Sequence, residues 1–212
     1  MISRTIPLEF LKKHLALALL LATPAAAECV TGADLATGIT FKREDGRSGL
    51  AQTEGKNIRI DYSANPDKWN DKRLSRFGVF DLSANVHFDP EIVVGGGYPH
   101  YEWSYAGRPP EPIPGRSFKS KVIQKRSEDI GTEFPPPPVI TTDQATYTFL
   151  DATTATLSGC DYSIVPVEAA YSDGTTQRYL YFPDLGLGLE TRTRGLDRAD
   201  GERRGLIALG KP

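Results

Sequence analysis

The sequence is poor in the residues that announce a chemistry. In 212 residues it has two cysteines, three histidines, two tryptophans and one methionine. There is no G-x-S-x-G nucleophile turn, no H-E-x-x-H helix, no Cys-x-x-Cys pair and no Walker loop, so the familiar serine-hydrolase, zinc-peptidase, thiol-exchange and nucleotide-binding signatures are all missing. Charge of one sign is lacking too. The chain carries 25 Lys plus Arg against 27 Asp plus Glu, a balance unlike that of a basic nucleic-acid-binding domain.

One apolar run stands out, over residues 15–22, behind Arg4, Lys12 and Lys13 and ahead of Pro24 and three alanines. This order is that of a secretory signal peptide, and the run is far shorter than the roughly 20 residues needed to cross a bilayer core. Cleavage after Ala27 is expected to leave residues 28–212, without a transmembrane anchor, in the periplasm or outside the cell. Removal of Arg4, Lys12, Lys13 and Glu9 moves the formal charge from -2 to -4. Cys29 stands close behind the cut, but Glu28 before it fits poorly with a lipidated cysteine.

Both cysteines, Cys29 and Cys160, lie in the mature chain, and an oxidising compartment permits one intramolecular pairing. A disulfide across so long a loop is expected to stabilise the fold by up to about 5 kcal/mol in the chain-entropy picture.

Short aromatic and β-branched segments recur between turn signals, and no sustained helical stripe is found. A first hairpin is expected over residues 38–43 and 49–53, turning at Asp45-Gly46. Ile58, Ile60 and Tyr62 alternate as the inner face of one strand. The charged residues up to Arg76 read as a loop or short helix around Trp69, followed by strands over 77–82 and 85–88 and an aromatic strand over 98–105. Sixteen prolines are unevenly placed. Those at 109–114 and 135–138 mark residues 107–141 as a proline-rich crossover, with an edge strand over 117–124 as the alternative. Beyond it, strands are expected near 147–149 and over 163–170, 178–182, 189–194 and 205–209, with Asp173-Gly174 as the clearest turn. The resulting expectation is one mainly-β domain, a curved antiparallel sheet or a partly open barrel or sandwich.

Cys160-Asp161-Tyr162, residues 171–174 and the run Tyr179-Leu180-Tyr181-Phe182-Pro183-Asp184-Leu185-Gly186 resemble the final hairpin of uncharacterised bacterial periplasmic proteins. Cys29, residues 31–34 and Gly38-Ile39 are similar to exported alphaproteobacterial proteins of unknown function. The resemblance implies export and a curved sheet, and brings no catalytic residues.

Several groups of residues are candidate sites. His87, Asp89 and Glu91 alternate, as do His100 and Glu102, a pattern that can ligate a divalent ion or supply a general base. Scattered polar contacts are the simpler reading. Asp197, Asp200 and Glu202 lack a full calcium loop and sit among arginines. Gly95-Gly96-Gly97 reads as a connection. The basic residues Arg116, Lys119, Lys121, Lys125 and Arg126 are divided between strand faces and offset by Glu128, Asp129 and Glu133, which leaves only a weak case for contact with a membrane surface. Tyr98, Tyr101, Trp103 and Tyr105 form the candidate binding patch, since residues 101, 103 and 105 share a strand face.

The sequence thus points to a non-catalytic exported binding or accessory protein, with no metal and no cofactor. Its expected partner is an envelope protein, a peptide or a glycan, and not a nucleic acid. A small hydrolase using His87 or His100, and a carrier holding an apolar ligand inside the curved sheet, are the alternatives.

Overall fold

In a computed structural model, residues 28–44, 46, 48–62, 70–87, 98–129, 135–194 and 205–212 are described. The leader, Asp45, Trp69, Asp89, Glu91, the triple glycine and the 197–204 cluster lie outside them. Among the described residues, a single 3-10 turn, Gly32–Ala36, precedes thirteen strands: β1 (Ile39–Arg43), β2 (Ser48–Glu54), β3 (Asn57–Asp61), β4 (Asn70–Arg76), β5 (Phe80–His87), β6 (Tyr98–Tyr105), β7 (Ser117–Asp129), β8 (Val139–Phe149), β9 (Thr153–Leu157), β10 (Cys160–Tyr171), β11 (Thr176–Phe182), β12 (Leu187–Arg194) and β13 (Leu206–Gly210). All pairings are antiparallel, in the order β12-β11-β10-β8-β7-β6-β5-β4-β3-β2-β1-β13, with β9 paired to β10 beyond the end of β8. The sheet curls until its ends approach each other, and Ser158 Oγ donates to the Leu209 carbonyl at 2.8 Å beside β13. The result is a nearly closed antiparallel barrel, as the strand pattern predicted.

The interior is divided. Along β11, Tyr179 and Tyr181 pack into one apolar cluster while Leu180 and Phe182 pack against or into another. Along β10, Ile164 belongs to the cluster of Phe182, and Val165 and Val167 to that of Tyr179 and Tyr181. Strands β10 and β11 thus contribute to both clusters from opposite faces, and where the clusters meet, Tyr179 to Phe182 read as an unbroken apolar run, while Glu168, Ala170 and Arg178 stay exposed. One compartment holds Ile39, Phe41, Ile58, Ile60 and Tyr62 with Leu187 and Leu189 of β12; Ile58, Ile60 and Tyr62 share the inner face as expected. The other is built on Phe80, Val122, Tyr147 and Phe149.

Cys29 and Cys160 form the expected disulfide, with Cα atoms 5.7 Å apart. It ties the N-terminal segment to the start of β10, where the Val30 N–H also donates to Tyr162 Oη at 3.1 Å. Lys211 pairs with Glu28 at 2.6 Å and with Asp34 at 3.3 Å.

Three expectations require correction. The charged stretch ending at Arg76 is strand β4, not a loop or helix, because its inward positions Asp71, Arg73 and Ser75 are polar and invert the usual alternation. Residues 77–79 are a turn, not the start of a strand, and the two strands expected over 77–88 are the single β5. Phe77 and Gly78 both take positive φ, 57° and 67°, and the Val79 N–H closes the turn on the Arg76 carbonyl at 3.2 Å. The turn abuts β12: the Gly188 N–H donates to the Phe77 carbonyl at 2.7 Å. A Cβ at Gly188 would lie 2.5 Å from Val79 Cγ2, so only glycine permits this approach.

Finally, the interval 107–141 is not one crossover, nor is its strand an edge. It contains β7, paired with β6 on one side and β8 on the other. The prolines flank that strand. Pro109 and Pro112 are buried where residues 106–116 cover one end of the second compartment, and Tyr181 donates to Glu111 Oε1 there at 2.7 Å.

Candidate functional site

The second compartment opens at the end opposite that floor into a cavity of about 460 Å³. Its volume falls in the range of ordinary small-molecule sites, roughly 300–1,000 Å³. Buried Val79, Val122, Tyr147 and Tyr179 lie at its base, and the exposed Thr141, Thr142 and Asp173 form its rim.

Strand alternation places the aromatic patch. Trp103 and Tyr105 both line the cavity wall from β6, and the Tyr101 ring stacks on Trp103 at 5.6 Å between centroids, 18° from parallel. The three rings run from the cavity outward along the strand, half-exposed. Tyr98 begins β6, and its side chain lies outside the described residues.

Facing this ladder is a phenol network that sequence reasoning missed. Tyr147 and Tyr171 hydroxyls lie 3.0 Å apart, and Tyr171 and Tyr179 donate to the same Gln177 Oε1 at 3.1 and 2.7 Å. Tyr105 donates to the Asp81 carbonyl at 2.9 Å. Burial pushes the phenols of Tyr105, Tyr147, Tyr171 and Tyr179 well above their ordinary value, so they remain neutral donors. The sequence signal was present as tyrosines on inward positions of separate strands. Only the sheet register brings them together.

Behind the cavity lies a buried ionic cluster. Arg73 makes two bonds of 2.8 Å to Asp71, one of 3.1 Å to Asp81 and one of 2.7 Å to Glu190 of β12. Asp71 and Glu190 are 3% and 2% exposed, so these charges depend on one another. The Arg73 guanidinium also lies 5.0 Å from the Tyr62 ring centroid, and the Tyr62 hydroxyl accepts the Glu190 N–H at 3.1 Å. Burial pushes the Asp81 carboxyl up, and the opposing Arg73 charge and Ser75 hydroxyl do not fully offset it. The cluster joins β4 and β5 to β12 across both compartments.

The other candidates among the described residues fall outside the cavity. His100 is on the outer face, with Nδ1 2.7 Å from Asn85 Oδ1 and Nε2 4.0 Å from Glu102 Oε1. Glu102 instead accepts from Lys125 at 2.7 Å. His100 therefore lacks the cleft and the short carboxylate contact that the hydrolase expectation demanded of it. The side chain of His87 lies outside the described residues, and among those described no group of three or more His, Cys, Asp or Glu residues is arranged to hold a metal. The lysines of β7 are not divided between faces: Lys119, Lys121 and Lys125 share the outward one, while Ser120 and Val122 are buried and Phe118 turns inward against Phe80 at 5.7 Å; Arg126 is also exposed and pairs with Glu128.

No helix among the described residues is long and apolar enough to cross a membrane. No family model matches the chain and no curated protein matches it. Among solved structures, the chain is similar to the hypothetical lipoprotein YmcC from Escherichia coli (K12), at 11% identity and a TM-score of 0.45, over 86% of this chain and 89% of that one. This likeness is to an Escherichia coli protein and does not single out the alphaproteobacterial proteins that the local sequence resemblance indicated; at this level it carries no functional assignment.

Proposed function

We propose that the chain acts, after export and removal of residues 1–27, as a non-catalytic binding protein that seats its ligand in the tyrosine-lined cavity. The observation that carries this reading is the open cavity with Trp103 and Tyr105 on its wall and the phenol network opposite. Aromatic faces supply contact area, and fixed polar groups supply orientation, the usual division of labour in a ligand site. Tyr101, stacked at the outer end of the ladder, extends the contact surface beyond the rim. The purely apolar carrier is disfavoured, because an alkyl chain would lie against phenols, carboxamides and carboxylates without satisfying them.

The test uses the processed protein with Trp69→Phe, so that Trp103 is the sole tryptophan reporter. Fractionated envelope extract is added while emission and thermal stability are followed. A saturable change in Trp103 emission with a matching rise in Tm, the rise in Tm being absent in Trp103→Ala, is the expected result. If extract raises Tm equally in Trp103→Ala, the ligand sits elsewhere. Fractionation that finds the intact 1–212 chain in the cytoplasm would remove the export half of the reading.

A further inference from the structure

Which ligand the cavity takes can be narrowed from its lining, and this step rests on the binding reading above. Among the described residues, no Lys, Arg or His lines the cavity, whereas Asp81, Asp143 and Asp173 all contribute. The guanidinium of Arg73 behind Asp81 is committed to three carboxylates. An anionic ligand would therefore enter without a countercharge and against the field of the rim.

Two carboxamides then set the polar pattern. Gln177 lines the cavity and its Oε1 already accepts two phenols, so what it has to offer a ligand is its Nε2 donor. Gln124, on β7, accepts Thr141 Oγ1 at 3.3 Å and likewise keeps its Nε2 as donor. These donors stand on different walls, with the acceptors Asp143 and Asp173 at the rim. A quaternary ammonium ion suits the aromatic rings but has no acceptor for either carboxamide, and leaving such donors dry is costly. An alkyl chain fails for the same reason. A sugar ring presents apolar C–H faces to aromatic rings and a belt of hydroxyls that both donate and accept.

We propose that the cavity binds a neutral saccharide, with a C–H face of the ring against Trp103 and Tyr105 and its hydroxyls on Gln124 and Gln177. Tyr101, stacked outside Trp103, then carries the next unit of a longer glycan beyond the rim.

The test is titration calorimetry of the processed protein with three sets of probes. The first is a panel of neutral mono- to tetrasaccharides of the gluco, galacto, manno and N-acetylhexosamine series. The second is choline chloride, and the third is laurate. The expected result is saturable binding of at least one neutral saccharide, weakened about tenfold or more in Gln177→Ala and in Trp103→Leu, with no binding of choline or laurate. Gln177→Ala also frees two phenols, so Gln124→Leu at the rim serves as the second variant and is expected to weaken the same saccharide without lowering Tm. Binding of choline or laurate in place of every saccharide, lost in Trp103→Leu, overturns the ligand class and leaves the cavity reading standing. Absence of binding by all three probe sets overturns this proposal, and if extract also leaves Trp103 silent the cavity reading falls with it. Saccharide binding untouched by all three variants overturns the placement.

Discussion

Raising the pH to about 11 should unfold the protein through its tyrosines rather than its lysines. Tyr62, Tyr105, Tyr147, Tyr171 and Tyr179 are all held neutral in the folded state by burial, above the ordinary phenol range. In the unfolded chain the same groups ionise near 10. Because the folded-state values are the higher ones, the stability they represent is intact below about pH 10 and is lost as the pH rises above it. One unit past the unfolded value, each phenol that stays neutral favours the unfolded chain by about 1 kcal/mol, so the fully buried Tyr62, Tyr147 and Tyr179 together remove a few kcal/mol. That is a large part of the stability of an ordinary domain, roughly 5–15 kcal/mol. Tyr181, buried and donating to Glu111, pushes in the same direction. The assay is a rapid jump from neutral pH, following tyrosinate absorbance and circular dichroism together. A small immediate absorbance rise and a larger one that tracks loss of sheet signal are expected. A single immediate rise of full amplitude, with midpoint near 10 and the sheet signal unchanged, would refute the claim that these phenols are shut in.

Three further outcomes follow from the packing. Arg73→Met leaves Asp71, Asp81 and Glu190 facing one another without their shared cation, and chemical denaturation should show a loss of about 3–5 kcal/mol; a loss under about 1 kcal/mol would mean the cluster is hydrated. Gly188→Ala forces a methyl group to within 2.5 Å of Val79 and should cost about 1–3 kcal/mol, seen as a lower Tm, whereas an unchanged Tm would contradict the close approach of β12 to the 77–79 turn. Reduction of Cys29–Cys160 should lower stability by up to about 5 kcal/mol, and alkylation without reductant should add no mass, even in denaturant.

Much of the fold could be read from residues alone, and the exceptions share a cause. The β1–β2 and β10–β11 hairpins, the inner face of β3, the aromatic strand β6 and the disulfide all announce themselves through alternation, turn residues or an arithmetic of two cysteines. Strand β4 was hidden because its inner face carries Asp71, Arg73 and Ser75, a buried ionic face that looks like a solvated one until Glu190 is placed beside it. Strand β7 was hidden by the prolines on either side, which cover a compartment end instead of interrupting a ladder. The aromatic patch supplies one wall of the cavity. Trp103 and Tyr105 could be named from β6, but Tyr147, Tyr171, Gln177 and Tyr179 come from three other strands, and their meeting depends on register and on the curl of the sheet, neither of which is a local property of sequence.

A ligand in the second compartment is the central expectation for this molecule, and the most direct measurement is a crystal structure of the processed protein isolated from cell-envelope extract. Ligand density between Trp103 of β6 and Gln177 of β11 is predicted. Density seated on another surface, or a Trp103 ring folded inward to fill the cavity, would contradict it.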